Sequence, residues 1–166
     1  MLFLLFQLGK DRYALDASRV VEVAPLLAMK RLPQAPKGVA GIFNYRGRPV
    51  PAVDLCEMAT GAPASERLST RIILVHFTPK NGRTGSAAPA DAKAPSYVLG
   101  LLAESVTEMQ TFDAGQFKPP VVSTANAPFL GDIASSDTDA RFVQLVRVEE
   151  LLPAELQDVL FAEQKG

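Results

Sequence analysis

Gly38-Val39-Ala40-Gly41-Ile42-Phe43-Asn44-Tyr45-Arg46-Gly47-Arg48-Pro49-Val50-Pro51-Ala52-Val53-Asp54-Leu55 is the stretch that decides how this chain is read. Ala40 to Tyr45 has the apolar character of a strand, Arg46-Gly47 reads as a turn, and Arg48 to Leu55 as its returning partner. Asn44 and Gly47 suit a tight reversal, because asparagine bends a turn through its side chain and glycine reaches positive φ. Pro49 and Pro51 lack backbone donors, which predicts an edge or bulged strand. Asp54 stands where the strand becomes a short helix and can cap its free amides, while Gly61 is placed to end that helix. Turn and cap roles therefore account for Gly47, Pro51 and Asp54. Arg46 is different. Hairpin geometry alone would accept lysine, serine or asparagine, whereas a guanidinium holds five donors in a rigid fork that suits a partner's carboxylate.

The flanks extend the same pattern in both directions. Leu2 to Leu8 and Tyr13-Ala14-Leu15 read as a hairpin around Gly9-Lys10-Asp11-Arg12, Asp16 caps a helical turn through Arg19, and Val20 to Val23 continues as a strand. Pro33, Pro36 and Gly38 mark an irregular connection. Arg71 to Phe77 is apolar without alternation, as expected of a central strand covered on both faces. Thr78 to Ser96 has no hydrophobic period and is rich in Gly, Pro, Ala and Ser, so residues 78–96 are expected to form a long mobile inserted loop. Tyr97 to Ala103, Val106 to Phe112, Phe129 to Ala134 and Arg141 to Val146 supply further strands. Pro153 opens a closing helix whose Leu156, Val159 and Leu160 form one apolar stripe. About nine short strands separated by turn signals favour packed barrels or sandwiches over an alternating α/β fold.

Composition narrows the function classes. The 166 residues make one domain, 1–166, able to bury about 69% of its unfolded surface without a disulfide or metal. The net charge of −1 gives no reason to expect polyanion binding. Lys30, Arg31 and Lys37 with Phe43 and Tyr45 are the nearest approach to a base-stacking surface, and they form no basic stripe. Cys56, the single cysteine, fits a reducing compartment. The apolar start breaks at Gln7 without a basic leader, and no stretch reaches membrane-spanning length, so the expectation is a soluble cytoplasmic protein. Catalytic tests give little: Cys56, His76 and Asp54 supply the residue types of a nucleophilic site but no local motif, and the glycines match no phosphate-binding loop. From the residues alone the chain reads as a mostly β, non-catalytic binding domain with no cofactor and no metal.

Gly38 to Leu55 also resembles the signature hairpin of CheW-like domains. The agreement continues through Phe6-x-Leu8-Gly9, Val20-x-Glu22-Val23, Leu32-Pro33-x-Ala35-Pro36, Leu99 to Val106, and the ending Leu145-Val146-x-Val148-Glu149-x-Leu151-Leu152. The resemblance implies a mainly β fold of two SH3-like five-stranded barrels packed around a shared core, with short helices and a C-terminal helix. It implies an adaptor domain alone, without fused kinase or receiver, coupling methyl-accepting chemoreceptors to a CheA-type histidine kinase. Such a protein is cytoplasmic, is recruited to membrane receptor arrays, binds no nucleic acid and does not insert into the membrane directly. The residues it carries to receptor and kinase binding are Val20, Glu22, Asn44, Arg46, Gly47, Val50 and Val106. Glu22 is expected to orient Arg46 by a charge-assisted pair, with Val20 and Val50 as apolar contacts for a receptor helix tip in the groove between the barrels.

Several positions depart from the family pattern: Tyr45 replaces the common leucine, Arg48-Pro49 an apolar pair, Cys56 a frequent arginine and Glu104 an aspartate, and the 78–96 insertion exceeds the minimal loop. These departures leave room for a specialised adaptor of a surface-sensing pathway, and the Met1-Leu2-Phe3-Leu4 start and the insertion resemble the Wsp type. The alternative is a β-barrel peptide- or nucleic-acid-binding module with no receptor partner, which predicts steep salt dependence on oligonucleotides. A hydrolase using Cys56 and His76 predicts thiol labelling that tracks loss of turnover.

Overall fold

The structure, a computed structural model, describes residues 1–78, 97–122, 127–135, 141–153, 156–157 and 160. The expected loop therefore lies outside the described residues from position 79 to 96, as does Val159 of the closing helical stripe.

Two five-stranded sheets form the molecule. One contains β1 (Leu2–Leu8), β2 (Asp11–Asp16), β8 (Ser105–Thr111), β9 (Leu130–Ser135) and β10 (Phe142–Val146), in the order β8-β1-β2-β10-β9. The other contains β3 (Val20–Pro25), β4 (Val39–Tyr45), β5 (Arg48–Asp54), β6 (Arg71–Phe77) and β7 (Tyr97–Ala103), in the order β3-β6-β7-β5-β4. The chain passes from the first sheet to the second through a 3-10 turn, Ala17–Arg19, where Asp16 Oδ1 accepts the Ser18 amide at 2.9 Å. It returns at the β7–β8 corner.

Alternation along two interior strands, β1 and β6, explains why they read as apolar runs. Phe3 and Leu5 of β1 point into the first sheet's own core with Phe112, Ala134 and Val143, while Leu4, Phe6 and Leu8 point into a larger core shared by both sheets. On β6, Ile72 and Leu74 face the second sheet's core with Phe43, Val50 and Ala52, and Ile73, Val75 and Phe77 face the shared one. Each strand is thus buried on both faces, which removes the polar-out half of the strand pattern. Fully burying a Leu, Ile or Phe is worth about 1.5–3 kcal/mol, so the rows that face the shared core hold the two barrels together. Leu160, buried in a helical turn near the C-terminus, and half-buried Leu156 join that core, as the closing stripe predicts.

Two sequence expectations are corrected. β5 is not an edge strand: it lies between β7 and β4. The prolines are accommodated because β7 pairs only with Ala52, Val53 and Asp54, leaving Pro49 and Pro51 on the half of β5 that β7 does not reach. The bulge falls instead on β4, between Val39 and Gly41. Phe43 is 2% exposed in the second core and has no face to offer a base.

Candidate functional site

The site is assembled where the second sheet closes on itself. β3 and β4 are the outer strands of that sheet, yet their side chains meet. Leaving β3, the chain crosses β4 and pairs Lys30 with Ile42 through backbone bonds of 2.8 and 2.9 Å. Gly41 permits that crossing: it sits at φ +147, and a Cβ there would lie 2.4 Å from the Lys30 carbonyl oxygen.

A two-residue turn builds the hairpin tip. Arg46 at φ +52 and Gly47 at φ +83 both occupy the left-handed region, the conformation that matches a tight hairpin's twist. Asn44 Oδ1 accepts the Gly47 amide at 2.8 Å and satisfies the turn from within. A non-glycine residue at φ +52 is uncommon, and the turn fixes where the Arg46 side chain departs.

Glu22 reaches this tip because of a bulge. β3 pairs Val20 with Val75 but Glu22 with Leu74, so the strand gains a residue and its faces exchange. Val20, half-buried, packs against the shared core, while Glu22 follows Leu74 toward the mouth of the second barrel. There Tyr45 Oη donates to Glu22 Oε2 at 2.6 Å, and Arg46 Nη2 stands 3.4 Å from the same oxygen. The Arg46 guanidinium lies 5.2 Å from the centroid of the Tyr45 ring. Donating to Glu22 raises the Tyr45 hydroxyl pKa above its ordinary value of 10.0. The carboxylate stabilises the protonated phenol by accepting its hydrogen bond.

The seven residues expected at a binding site thus divide into three places. Glu22, Asn44, Arg46 and Gly47 share the barrel mouth. Val20 and Val106 abut the shared core from opposite sheets, Val106 pairing with Phe6 of β1. Val50 is a correction: at 3% exposure, opposite Phe43, it packs inside the second barrel and has no surface for a partner. Tyr45, which the sequence marks only as a departure from the family pattern, joins Glu22 and Arg46 at the tip. It continues the inward row of Phe43 to the rim, where an aromatic with a polar tip finds a hydrogen-bond partner. None of the seven lines the apolar cleft of about 690 Å³ between Met58, Phe129, Leu152 and Leu156.

The residue types considered for nucleophilic chemistry are held otherwise. Cys56 is buried in α1 (Leu55–Thr60), and its thiol donates to Glu104 Oε1 at 2.9 Å. Burial first, then the bond to Glu104, push its pKa up to about 11, so almost no thiolate is present at neutral pH. His76 is exposed on β6, opposite Val98. Asp54 caps α1, accepting the Glu57 amide at 3.1 Å and the Ala64 amide at 2.8 Å, and Gly61 ends that helix at φ +84. Among the described residues no group of three or more His, Cys, Asp or Glu could hold a metal ion. No helix among them is long and apolar enough to cross a membrane.

Comparison with known proteins places this architecture. A solved structure, the scaffolding protein TtCheW from Thermoanaerobacter tengcongensis, superimposes with a TM-score of 0.73 at 24% identity, covering 93% of this chain and 89% of that one. The chemotaxis protein CheW of Klebsiella aerogenes is 26% identical over 156 residues, 92% of this chain and 82% of the relative. Protein FrzA of Myxococcus xanthus is 24% identical over 151 residues, 90% of this chain and 84% of the relative. The family model for the CheW-like domain matches residues 2–156, essentially the whole of both barrels, and the chain belongs to the CheW-like domain family.

Proposed function

We propose that this protein is a non-catalytic cytoplasmic adaptor that couples a methyl-accepting chemoreceptor to the regulatory domain of a CheA-type histidine kinase. Membership of the CheW-like family across residues 2–156 carries the reading, and the hairpin tip supplies its chemistry. Arg46 is exposed, with 77% of its side chain accessible, and only one of its guanidinium nitrogens is turned toward Glu22. The remaining donors are oriented for a carboxylate on the receptor tip. Val20 and Val106, partly buried against the shared core, stand apart from the tip, and any apolar contact they make with a partner would be separate from that of Arg46. The family-level role extends to both main chemotaxis and surface-sensing pathways, and the departures at Tyr45, Cys56 and Glu104 favour a specialised member.

The test is direct binding of the full chain and its Arg46→Glu variant to two probes from the same cell: a soluble fragment of a chemoreceptor's cytoplasmic tip, and the CheA regulatory domain. Both probes should bind the native chain, and the variant should lose at least about tenfold in receptor affinity while keeping the kinase arm, as expected for an arginine at an interface hot spot. Failure of the native chain to bind either probe, with the fold intact, would remove the adaptor reading.

A further inference from the structure

We propose that Tyr45 is a positioning residue of the hairpin-tip site: its hydroxyl holds the Glu22 carboxylate and its ring carries the Arg46 guanidinium, so that the remaining donors of Arg46 face an incoming carboxylate. The identity of the partner rests on the adaptor reading above; the arrangement rests on geometry alone.

The two donors to Glu22 Oε2 are unequal. At 2.6 Å the Tyr45 bond is in the range of a strong O–H···O⁻ interaction, whereas 3.4 Å is long for N–H···O. The carboxylate is therefore held first by the tyrosine and only loosely by the arginine. The guanidinium also lies within cation–π distance of the Tyr45 ring, a contact that leucine at this position could not make. The exposures agree: 77% of the Arg46 side chain and 41% of the Glu22 side chain remain accessible. Among the described residues Arg46 has no partners besides Glu22 and the Tyr45 ring.

These contacts divide the labour between the two halves of one side chain. With leucine in place of Tyr45, the nearest remaining donor to the carboxylate would be Arg46, which would be drawn into a closed pair across the barrel mouth. Tyrosine satisfies the carboxylate instead and supports the cation from below. The turn already fixes the Arg46 backbone at φ +52, so the ring and the carboxylate need restrain only the side-chain torsions. The result is a preorganised guanidinium that still has donors to give.

The experiment uses the full chain in five forms: native, Tyr45→Phe, Tyr45→Leu, Arg46→Ala, and the Tyr45→Phe/Arg46→Ala double variant. Amide NMR spectra check that each folds. In the free protein, the Arg46 side-chain signals should carry a ring-current shift that Tyr45→Leu abolishes and Tyr45→Phe only reduces. Titration with a soluble chemoreceptor tip fragment should show Tyr45→Phe weakening binding about threefold and Tyr45→Leu about tenfold, with Tyr45→Phe costing nothing further once Arg46 is alanine. Rescue of part of the loss by phenylalanine relative to leucine separates ring support from the hydroxyl bond. The proposal is overturned by Arg46 signals without a ring-current shift in the native chain, by full receptor affinity in both tyrosine variants while Arg46→Ala loses it, or by strictly additive losses. Should Arg46→Ala bind the receptor as the native chain does, the adaptor reading of this tip fails, and the free-protein spectra alone uphold or overturn the hold of Tyr45 on Arg46.

Discussion

One carboxylate is held at each end of the β4–β5 hairpin, Asp54 at its base and Glu22 of β3 at its tip, and the two serve different purposes. At the base, Asp54 is 5% exposed and gives one oxygen to the Glu57 amide and the other to the Ala64 amide. At the tip, 41% of the Glu22 side chain is accessible, and a single oxygen receives both of its donors, Tyr45 and Arg46, from side chains. The base carboxylate is buried and holds two amides of its own chain, so it is committed to architecture. Side-chain donors on an exposed turn can exchange one acceptor for another. The kind of donor, more than the presence of charge, separates a structural carboxylate from one suited to a binding surface.

Removing the base carboxylate should have the largest effect on stability. Asp54→Ala deletes the cap of α1 and leaves two partly buried amides without an acceptor, a loss of about 2–4 kcal/mol when the cap and the unsatisfied amides are combined. Urea unfolding measures it, and a loss under about 0.5 kcal/mol would erase the contrast, because an exposed surface pair can cost as little. Next to the cap, Cys56 supplies a pH-dependent version of the same test. Its thiol pKa is raised from 9.0 to about 11, so the folded chain keeps a proton that the unfolded chain loses. Stability contributed by the thiol is intact below about pH 9 and declines as the pH approaches 11, by on the order of 2 kcal/mol. Unfolding midpoints from pH 8 to pH 10.5 should fall more steeply in the native chain than in Cys56→Ala; parallel slopes would place the thiol in an ordinary environment. At the tip, Gly47→Ala meets no atom within 4 Å but must hold φ +83, which predicts a loss of about 1 kcal/mol from backbone strain alone.

The same contrast explains what the sequence made legible. Asp16, Asp54 and Gly61 act on residues a few positions away, so their cap roles could be read locally and match the structure. The apolar runs of β1 and β6 announced burial on both faces, and the two barrels provide it. Pairings that join distant residues left no local mark: β1 with β8, and the parallel contacts of β2 with β10 and β5 with β7. Those parallel neighbours made β5 an interior strand and defeated the edge reading drawn from Pro49 and Pro51. Phe43 and Val50 pair across the hairpin on one face, and only the curvature of the sheet decides that this face is inside. The pairing of Tyr45 with Glu22 left no local mark either, because Glu22 lies 23 residues earlier and is brought to it by a bulge that exchanges the faces of β3.

The smallest expected change in stability makes the most demanding test of the comparison. Glu22→Gln keeps the size of the side chain and an oxygen that can still accept from Tyr45, while removing the charge that faces Arg46. Exposed ion pairs contribute about 0–1 kcal/mol, so thermal or urea unfolding should move by less than that. Receptor-tip affinity should nevertheless fall several-fold, because a guanidinium without its carboxylate tether is less well ordered before the partner arrives. A variant that loses stability as Asp54→Ala does, yet binds normally, would make the tip a second structural clasp closing the barrel. A variant that unfolds like the native chain and binds poorly would leave Glu22 organising a surface, with the fold carried by the cores beneath it.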